Sequence, residues 1–393
     1  MRIANVVLND FTRDNRVLKI ASTLVSEGQE VTVVALHKRG LPRREDHPQG
    51  FATHRMKLLM PARLGGSALK FVELCLKVTW MYRRYDAWHC NDAEAFVIGL
   101  LAKCTRPQLK LIYDCHEFEA ERNGKSQWHS KGVRWMERNF IRFAEEVIVV
   151  SPSIQAAYEE RYTGHGLPPV RLVRNVPGKL DASIVPLDDS SSLLMDSLGL
   201  GGDDFVALYQ GAFTINRGIE ELLELSAQLT GTHINLVFMG YGLLENEVRS
   251  AADAFPNVHF QPAVPYEQVL QYTRGADVGL VSVRPICLSY LYCLPNKLFE
   301  CIQAGVPVLV NELPDCAALV EEFEVGHVLR GDSAQDWLQA LQKLALQQPS
   351  FKETSGPGLQ RAQLELNWEK EQTELAAIYH RIEETQRNLT SAI

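Results

Sequence analysis

The chain has 393 residues, which is too long for one ordinary hydrophobic core and suits two domains. Its hydrophobic content of 46% and charged content of 22% are typical of a globular protein and exclude extended disorder. Charge is divided unevenly: residues 1–178 carry 27 Lys and Arg against 19 Asp and Glu, although the whole chain has a net charge of −8. The basic first half therefore points to an anionic partner.

No run approaches the roughly 18 apolar residues of a membrane span, and residues 1–8 predict a strand rather than a signal peptide. We therefore expect a cytoplasmic protein.

The eight cysteines include no Cys-x-x-Cys pair and mostly lie in apolar runs. This pattern favours buried free thiols over disulfides or zinc ligands, so we expect no metal site.

The first half alternates short apolar strands with helices, the first helix running from about Asp14 to Gly28. Short Val and Ile runs separated by helices predict a parallel sheet with right-handed crossovers. The predicted strands are 3–8, 30–36, 87–91, 110–114 and 146–151.

Two helical segments of the first half are basic. Residues 69–84 predict a long apolar helix with basic and aromatic residues at one end, and residues 131–142 place four basic residues at helical spacing. Two interpretations remain open. Each segment is either a core helix with a solvated basic end, or part of a peripheral contact between the basic N-terminal domain and the inner face of a membrane.

The second half follows a polar stretch, 181–192, which has the composition of a linker. We expect two doubly wound, Rossmann-like α/β domains facing a central cleft, with ligands beyond the carboxyl ends of the strands. The predicted domains are 1–178 and 179–362. The second-half strands are expected at 205–210, 234–240, 258–262, 277–283 and 306–311.

The C-terminal tail is the third predicted segment, 363–393. An amphipathic helical pattern runs without interruption from Leu359 to Asn388, after a Gly- and Pro-containing segment at 351–358. This helix either crosses back to pack on the first domain or covers the sheet of the second.

Residues 295–305 carry the most informative motif. Pro295 fits the first position of a helix, and Gly305 suits the left-handed conformation that ends one. The N-terminus of such a helix offers N–H groups to an anion, while Glu300 offers a carboxylate to two sugar hydroxyls. The alternative is that Glu300 is favoured by the helix dipole alone.

A second glycine-containing turn occupies residues 209–218, ahead of a helix predicted to start near Ile219. Two such strand-to-helix turns in one sheet can clasp a diphosphate. Together with Glu300, they predict a nucleotide-sugar pocket.

In the order and spacing of its motifs, the chain resembles the nucleotide-sugar glycosyltransferases of the GT-B fold, specifically the retaining glycosyltransferase family 4, over nearly its whole length. The resemblance implies that domain 1–178 lies on the acceptor side and that domain 179–362 binds the nucleotide sugar. The matching fragments are 14–21, 28–34, 88–92, 113–117, 149–153, 174–177, 211–218, 239–242 and 295–307.

The resemblance also implies roles for individual residues. His116 would reach the donor sugar near the bond being broken, Arg217 would contact the diphosphate, and Glu300 would hold the ribose. His116 and Arg217 are therefore the catalytic candidates. Further donor-binding candidates are Gly211, Gly242, Tyr292, Asn296 and Lys297, and the acceptor-side candidates are Arg13, Asp14, Asn91 and Asp92.

Two positions depart from the family pattern. Tyr292 stands where the first Glu of the motif is expected, and Ala212 where an Arg is common. A Tyr can hydrogen-bond a sugar hydroxyl but has no carboxylate charge. Structural alternatives also remain: His116 as a strand-end histidine bonded to a carbonyl, and Arg217 as a helix cap or a surface ion pair worth about 0–1 kcal/mol.

We expect a retaining, metal-independent glycosyltransferase that moves a sugar from a nucleotide diphosphate sugar of the UDP or GDP type to a hydroxyl. Its acceptor would be a glycan or lipid-linked molecule in cell-envelope or exopolysaccharide synthesis, with no cofactor and no nucleic acid. The alternatives are a sugar-nucleotide epimerase or hydrolase of the same fold, or an inactive nucleotide-binding scaffold. A nicotinamide-dependent dehydrogenase is disfavoured, because no Gly-x-Gly-x-x-Gly follows the first strand.

Overall fold

The computed structural model describes residues 1–59, 66–179, 193–347 and 350–391. The predicted linker 181–192 lies outside these ranges. The chain forms two compact units, one of Met1–Asn175 with the C-terminal segment from Glu371, and one of Val176–Lys370. Their borders therefore lie at 175/176 and 370/371, whereas the sequence placed them at 178/179 and 362/363.

The first unit contains a sheet that is parallel except for its edge strand β3, in the order β3-β4-β2-β1-β5-β6-β7-β8. The five strands expected from Val and Ile runs are confirmed. Sequence reading missed β3, β4 and β8, which are short or polar and depend on pairing with their neighbours. The strands are β1 Arg2–Val6, β2 Glu30–Leu36, β3 Arg44–Asp46, β4 Ala52–Met56, β5 Ala87–Asn91, β6 Lys110–Cys115, β7 Glu146–Val149 and β8 Val170–Leu172.

Five α-helices lie in the described part of the chain before the second unit. The first begins at Asp14, whose carboxylate accepts a hydrogen bond from the backbone N–H of Val17 at 3.1 Å. Its apolar side, including Val17, Ile20 and Leu24, is fully buried against the sheet. The helices are α1 Asn15–Ser26, α2 Gly66–Tyr82, α3 Asp92–Thr105, α4 Gln127–Phe140 and α5 Pro152–Tyr162.

The second unit contains a parallel sheet in the order β11-β10-β9-β12-β13-β14. The strand order reverses between β9 and β12, and ligands of such sheets bind beyond the carboxyl ends of the strands at that point. The five predicted strands are confirmed, and β14 was missed. The strands are β9 Phe205–Phe213, β10 Ile234–Gly242, β11 Val258–Pro262, β12 Val278–Val281, β13 Val308–Asn311 and β14 Gly326–Leu329.

The helix expected near Ile219 is confirmed, but Pro295 is the N-cap of its helix rather than the first helical residue. None of the helices in the described ranges has the length and apolar character needed to cross a bilayer. The helices are α6 Leu193–Leu198, α7 Ile219–Glu224, α8 Ser226–Leu229, α9 Glu245–Ala254, α10 Tyr266–Thr273, α11 Leu288–Leu291, α12 Asn296–Gln303, α13 Pro314–Phe323, α14 Ala334–Gln347 and α15 Ser350–Glu365.

The prediction of one unbroken helix over 359–388 is wrong in two respects. Helix α15 already includes 351–358 despite the poor helix propensity of its Gly and Pro residues, and close packing requires glycine at 358, where a Cβ would lie 2.0 Å from the carbonyl oxygen of Phe323. The chain then breaks at Asn367, whose amide donates to two carbonyls of α15 while its Oδ1 accepts from Lys370 N at 3.1 Å. Helix α16, Trp368–Ser391, starts there.

Helix α16 packs on the first unit. Its Leu375, Ile378 and Tyr379 are buried, and the Tyr379 hydroxyl lies 2.9 Å from Nδ1 of His89 on β5. Nearer its start, Glu371 accepts two hydrogen bonds from Arg174. The segment from Glu371 is therefore part of the first folded unit.

Candidate functional site

The carboxyl ends of β9 and β10 approach each other closely. A Cβ on Gly240 would lie 1.9 Å from the carbonyl oxygen of its partner Gly211, and one on Gly242 would lie 2.5 Å from the carbonyl oxygen of Phe213. Backbone packing thus requires glycine at 240 and 242. This packing alone accounts for glycine at position 242, one of the donor-binding candidates, and no contact with a ligand is needed to explain it.

Two cations lie near the end of β9. The ammonium of Lys297, in the first turn of α12, is buried without a hydrogen-bond partner among the described residues and lies 3.3 Å from the centroid of the Tyr209 ring. Its stem passes Gly211, where an added Cβ would lie 3.8 Å from Cε of Lys297. The guanidinium of Arg217 lies 4.2 Å from the centroid of the Tyr290 ring.

The pKa of Lys297 is lowered to about 7. Burial is the largest cause, and the positive charge of Arg217 is the second. A cation that has lost water and gained no acceptor is poised to interact with an anion. The donor-binding candidate Lys297 thus lies beside Gly211, another donor-binding candidate, and near the charge of the catalytic candidate Arg217.

Glu300 lies one turn further along α12, within a short hydrogen-bond chain. Its Oε2 accepts from Nε2 of Gln210 at 2.6 Å, and Oε1 of Gln210 accepts from the hydroxyl of Thr273 at 2.6 Å. The other donor candidates flank this helix: Tyr292 is the C-cap of α11, and Asn296 is the exposed first residue of α12. The Glu300 carboxylate is thus held in a fixed orientation.

In the first unit, the ends of β5 and β6 carry a buried polar cluster centred on Asp114. Arg16 binds both carboxylate oxygens of Asp114, at 3.0 and 2.6 Å, and Nε2 of His89 lies 3.1 Å from Oδ2. Burial would raise the pKa of Asp114, but the charges of Arg16 and His116 hold it well below its usual value. Asp114 is therefore an ionised carboxylate inside the protein.

His116 is the outermost member of this cluster, with 21% of its side chain exposed. Its Nε2 lies 3.1 Å from Oδ1 of Asn91 and 3.4 Å from Oδ2 of Asp114, and its Nδ1 lies 3.7 Å from Oδ1 of Asp92. Burial would lower the pKa of His116, but the charges of Asp92 and Asp114 outweigh it and raise the pKa to about 9. His116 is an imidazolium at neutral pH.

Two of the acceptor-side candidates adjoin His116. The amide of Asn91 donates to Oδ1 of Asn5 at 2.6 Å and to the carbonyl oxygen of Val6 at 2.8 Å, which ties the end of β5 to β1. Asp92 begins α3 with a φ of 68°, a strained conformation for a residue with a side chain. Such strain occurs often at functional sites.

The other two acceptor-side candidates are placed differently. Both carboxylate oxygens of Asp14 are engaged locally, since Oδ1 caps α1 and Oδ2 accepts from Nδ2 of Asn9 at 2.7 Å. Arg13 is exposed. The structure therefore gives Asp14 a role in helix capping, and it brings Asn91 and Asp92 together with His116.

Sequence reasoning missed several members of both clusters. Asp114 was the available signal for the buried cluster, because it is a charged residue in a largely apolar strand. A buried charge requires partners. Within the described ranges, no group of three His, Cys, Asp or Glu side chains is placed to hold a metal ion. The missed residues are Arg16, His89, Asp114, Tyr209, Gln210 and Tyr290.

Two family models match the chain, one to each sheet. Residues 14–178 match the glycosyl transferase 4-like domain, and residues 204–347 match the glycosyl transferases group 1 domain. The chain is a GT-B glycosyltransferase of the family 4 type. No curated relative matches its sequence.

Solved structures share the fold of this glycosyltransferase. Sucrose-phosphate synthase from Thermosynechococcus elongatus is 19% identical, with full coverage of both chains and a TM-score of 0.76. Anabaena HepE, solved with UDP and glucose, is 17% identical over 98% of this chain and 99% of its own, with a TM-score of 0.73. WaaG, a glycosyltransferase involved in lipopolysaccharide biosynthesis, is 16% identical over 96% and 99%, with a TM-score of 0.68.

Proposed function

We propose that this glycosyltransferase moves a sugar, with retention of configuration and without a metal ion, from a nucleotide diphosphate sugar of the UDP or GDP type to a hydroxyl acceptor. One observation most supports this function: the amino group of Lys297 is buried beside Gly211. The positive charge of Arg217 is near enough to lower its pKa. Two crowded cations favour an anionic ligand. HepE, a structural neighbour, was solved with UDP.

In this proposal the second unit binds the donor. Arg217 and Lys297 neutralise the diphosphate, and the carboxylate of Glu300 accepts the ribose hydroxyls. Tyr292 lies at the end of α11, Asn296 is the first residue of α12, and Gly211 lies near the carboxyl end of β9. These are the groups that would stabilise the leaving diphosphate.

The transfer itself breaks the bond between the anomeric carbon and the diphosphate oxygen, and the electron pair stays on the diphosphate. The acceptor hydroxyl oxygen bonds to the same face of the anomeric carbon and gives its proton to the departing phosphate. An imidazolium at His116 cannot act as a base at neutral pH, but it can donate a hydrogen bond to the donor sugar. His116 is therefore assigned a role in binding and charge stabilisation.

The acceptor is proposed to be lipid-linked or a glycan, in cell-envelope or exopolysaccharide synthesis. WaaG, which shares the fold, is involved in lipopolysaccharide biosynthesis.

The outer face of α4 supports contact with an anionic membrane surface. Its Trp128 and Trp135 are 83% and 62% exposed. The one acidic residue of the helix, Glu137, is buried and accepts hydrogen bonds from three tyrosines. The exposed basic residues beside these tryptophans are Lys131, Arg134, Arg138 and Arg142.

Nucleotide screening followed by product analysis tests the proposed function. UDP and GDP should raise the melting temperature of the purified chain, and NAD should not. With the matching nucleotide sugar and a pool of glycan acceptors, the sugar should be transferred in the anomeric configuration of the donor. Release of free sugar alone, an epimerised donor, or a product of inverted configuration would each contradict the proposal.

A further inference from the structure

The resting state of Lys297 is the starting point. Within the described part of the chain, its Nζ is shielded from water and has no hydrogen-bond acceptor, and it lies over the face of the Tyr209 ring. A ring face stabilises a cation by about 0.5–2 kcal/mol, which is less than the cost of burying an unpaired ammonium. With a pKa of about 7 in the empty site, Lys297 is divided about evenly between amine and ammonium at pH 7, and the neutral amine is the favoured form at higher pH.

The groups that face Lys297 from the surrounding elements reinforce this. Arg217, in the turn before α7, adds a second positive charge, whose effect on Lys297 exceeds that of any neighbouring acid. The carboxylate of Glu300, on the same helix, acts in the opposite direction but is already engaged by Gln210. Other titratable groups near Lys297 include the phenol of Tyr209 and the thiols of Cys293 and Cys301, and Glu220 and Tyr290 act in turn on Tyr209.

A bound diphosphate would favour the ammonium form of Lys297 over the amine. Its negative charges, placed between Arg217 and Lys297, would cancel the repulsion and give the ammonium the acceptor that it lacks. We propose that binding of a nucleoside diphosphate at this site is coupled to the uptake of one proton from solvent by the amine of Lys297. This inference rests on the proposed function, because it requires a diphosphate in the site.

Proton uptake makes affinity depend on pH in a defined direction. The pKa of about 7 for Lys297 in the empty site means that binding above neutrality must first draw a proton from solution. The dissociation constant should rise about eightfold between pH 7.5 and 8.5, a range in which the terminal phosphate, with a pKa of about 6, does not titrate. Arg217 stays charged throughout and contributes no such slope.

Isothermal titration calorimetry of the full chain with UDP and with GDP, at pH 8.0 in three buffers of different ionisation enthalpy, measures the coupling. The slope of observed enthalpy against buffer enthalpy gives the protons taken up, and we expect about 0.9 per site. Lys297→Arg should bind with a slope near zero, because its guanidinium is already charged. Lys297→Met, which keeps the stem, should bind at least tenfold more weakly, also without uptake.

Lys343→Met is the matched control, because Lys343 is exposed on α14 and should leave both slope and affinity unchanged. Nucleotide binding by the parent without proton uptake overturns this inference while leaving the proposed function intact. Uptake that persists in Lys297→Arg overturns it as well, because the proton would then enter elsewhere. If neither nucleotide binds in any buffer, the nucleotide site is wrong and the coupling is rejected with it.

Discussion

Gln210 donates a hydrogen bond from Nε2 to the carboxylate of Glu300 at 2.6 Å. The two residues are 90 positions apart in the sequence, on β9 and α12. The contact orients the carboxylate before any ligand arrives, which under the proposed function would align it to accept a ribose hydroxyl. A preorganised acceptor of this kind contributes affinity without an ordering cost on binding.

Glu300→Gln should weaken binding of UDP or GDP about 10- to 100-fold, because a hydrogen bond to a charged group is worth about 1.5–3 kcal/mol. Titration calorimetry measures the change. Glu247→Gln, on the exposed side of α9, makes the same chemical change away from the site and should bind like the parent. Equal affinity for Glu300→Gln and the parent would remove Glu300 from the ribose site.

Arg217→Ala should lower kcat about 10²- to 10³-fold, the usual effect of deleting a group that stabilises developing charge. Steady-state transfer assays with saturating donor measure it. Arg249→Ala is a matched control, since Arg249 also stacks on an aromatic ring, 3.9 Å from the centroid of Phe260, and pairs with Glu245. A comparable loss in both variants would mean that stacking rather than charge stabilisation was removed.

His116 should make stability depend on pH. Its pKa of about 9 in the folded protein lies above the ordinary value of 6.5, so its stabilising contribution is fully present below about pH 6.5 and is lost as the pH rises through 9. The loss should reach about 3 kcal/mol at most. Urea unfolding at pH 6.5, 8 and 9.5 measures it, and His116→Gln should lack this component. Identical pH profiles for the two proteins would show that the histidine is not charged.

Asp114→Asn should destabilise the first unit by about 3–5 kcal/mol, because it leaves the guanidinium of Arg16 buried without its counter-charge. Urea unfolding at pH 7 measures the change. Glu30→Gln provides the contrast, since its ion pair with Arg2 is exposed and should contribute only about 0–1 kcal/mol. If the two variants unfold alike, Asp114 does not bear the charge assigned to it.

The outer face of α4 should bind vesicles that contain anionic lipid. Replacing Arg134 and Arg138 by Gln should weaken co-sedimentation with phosphatidylglycerol vesicles about 30-fold, at about 1 kcal/mol for each basic residue. Arg330→Gln with Lys343→Gln makes the same change of charge on the second unit and should have little effect. Binding that is insensitive to the Arg134 and Arg138 changes, or equal for neutral vesicles, would exclude this face.

The sequence sufficed for the elements that carry strong local patterns. Runs such as Val278–Val281 are buried on both faces and can be recognised without knowing their neighbours. The short strand β3 could not be found, because all three of its residues are exposed and only pairing with β4 defines it. The break at Asn367 was missed for a related reason, since it depends on side-chain hydrogen bonds rather than on periodicity.

Site residues divide in the same way. Glu300 could be proposed from its place near the start of a helix, whereas the roles of Arg217 and Lys297 came from the family resemblance. The engagement of Glu300 by Gln210 could not be anticipated, because it joins distant segments. The resting position of Lys297 on the Tyr209 ring was likewise invisible in the sequence, although it decides the electrostatics of that side chain.

The return of helix α16 to the first unit limits how this enzyme can be cut and recombined. A fragment ending at Asn175 would leave the surface that receives Tyr379 uncovered and the Arg174 guanidinium without Glu371. Chimeras that exchange the first unit between relatives should therefore transplant two pieces of chain, the first 175 residues and everything from Glu371 onward, if the hybrid is to fold.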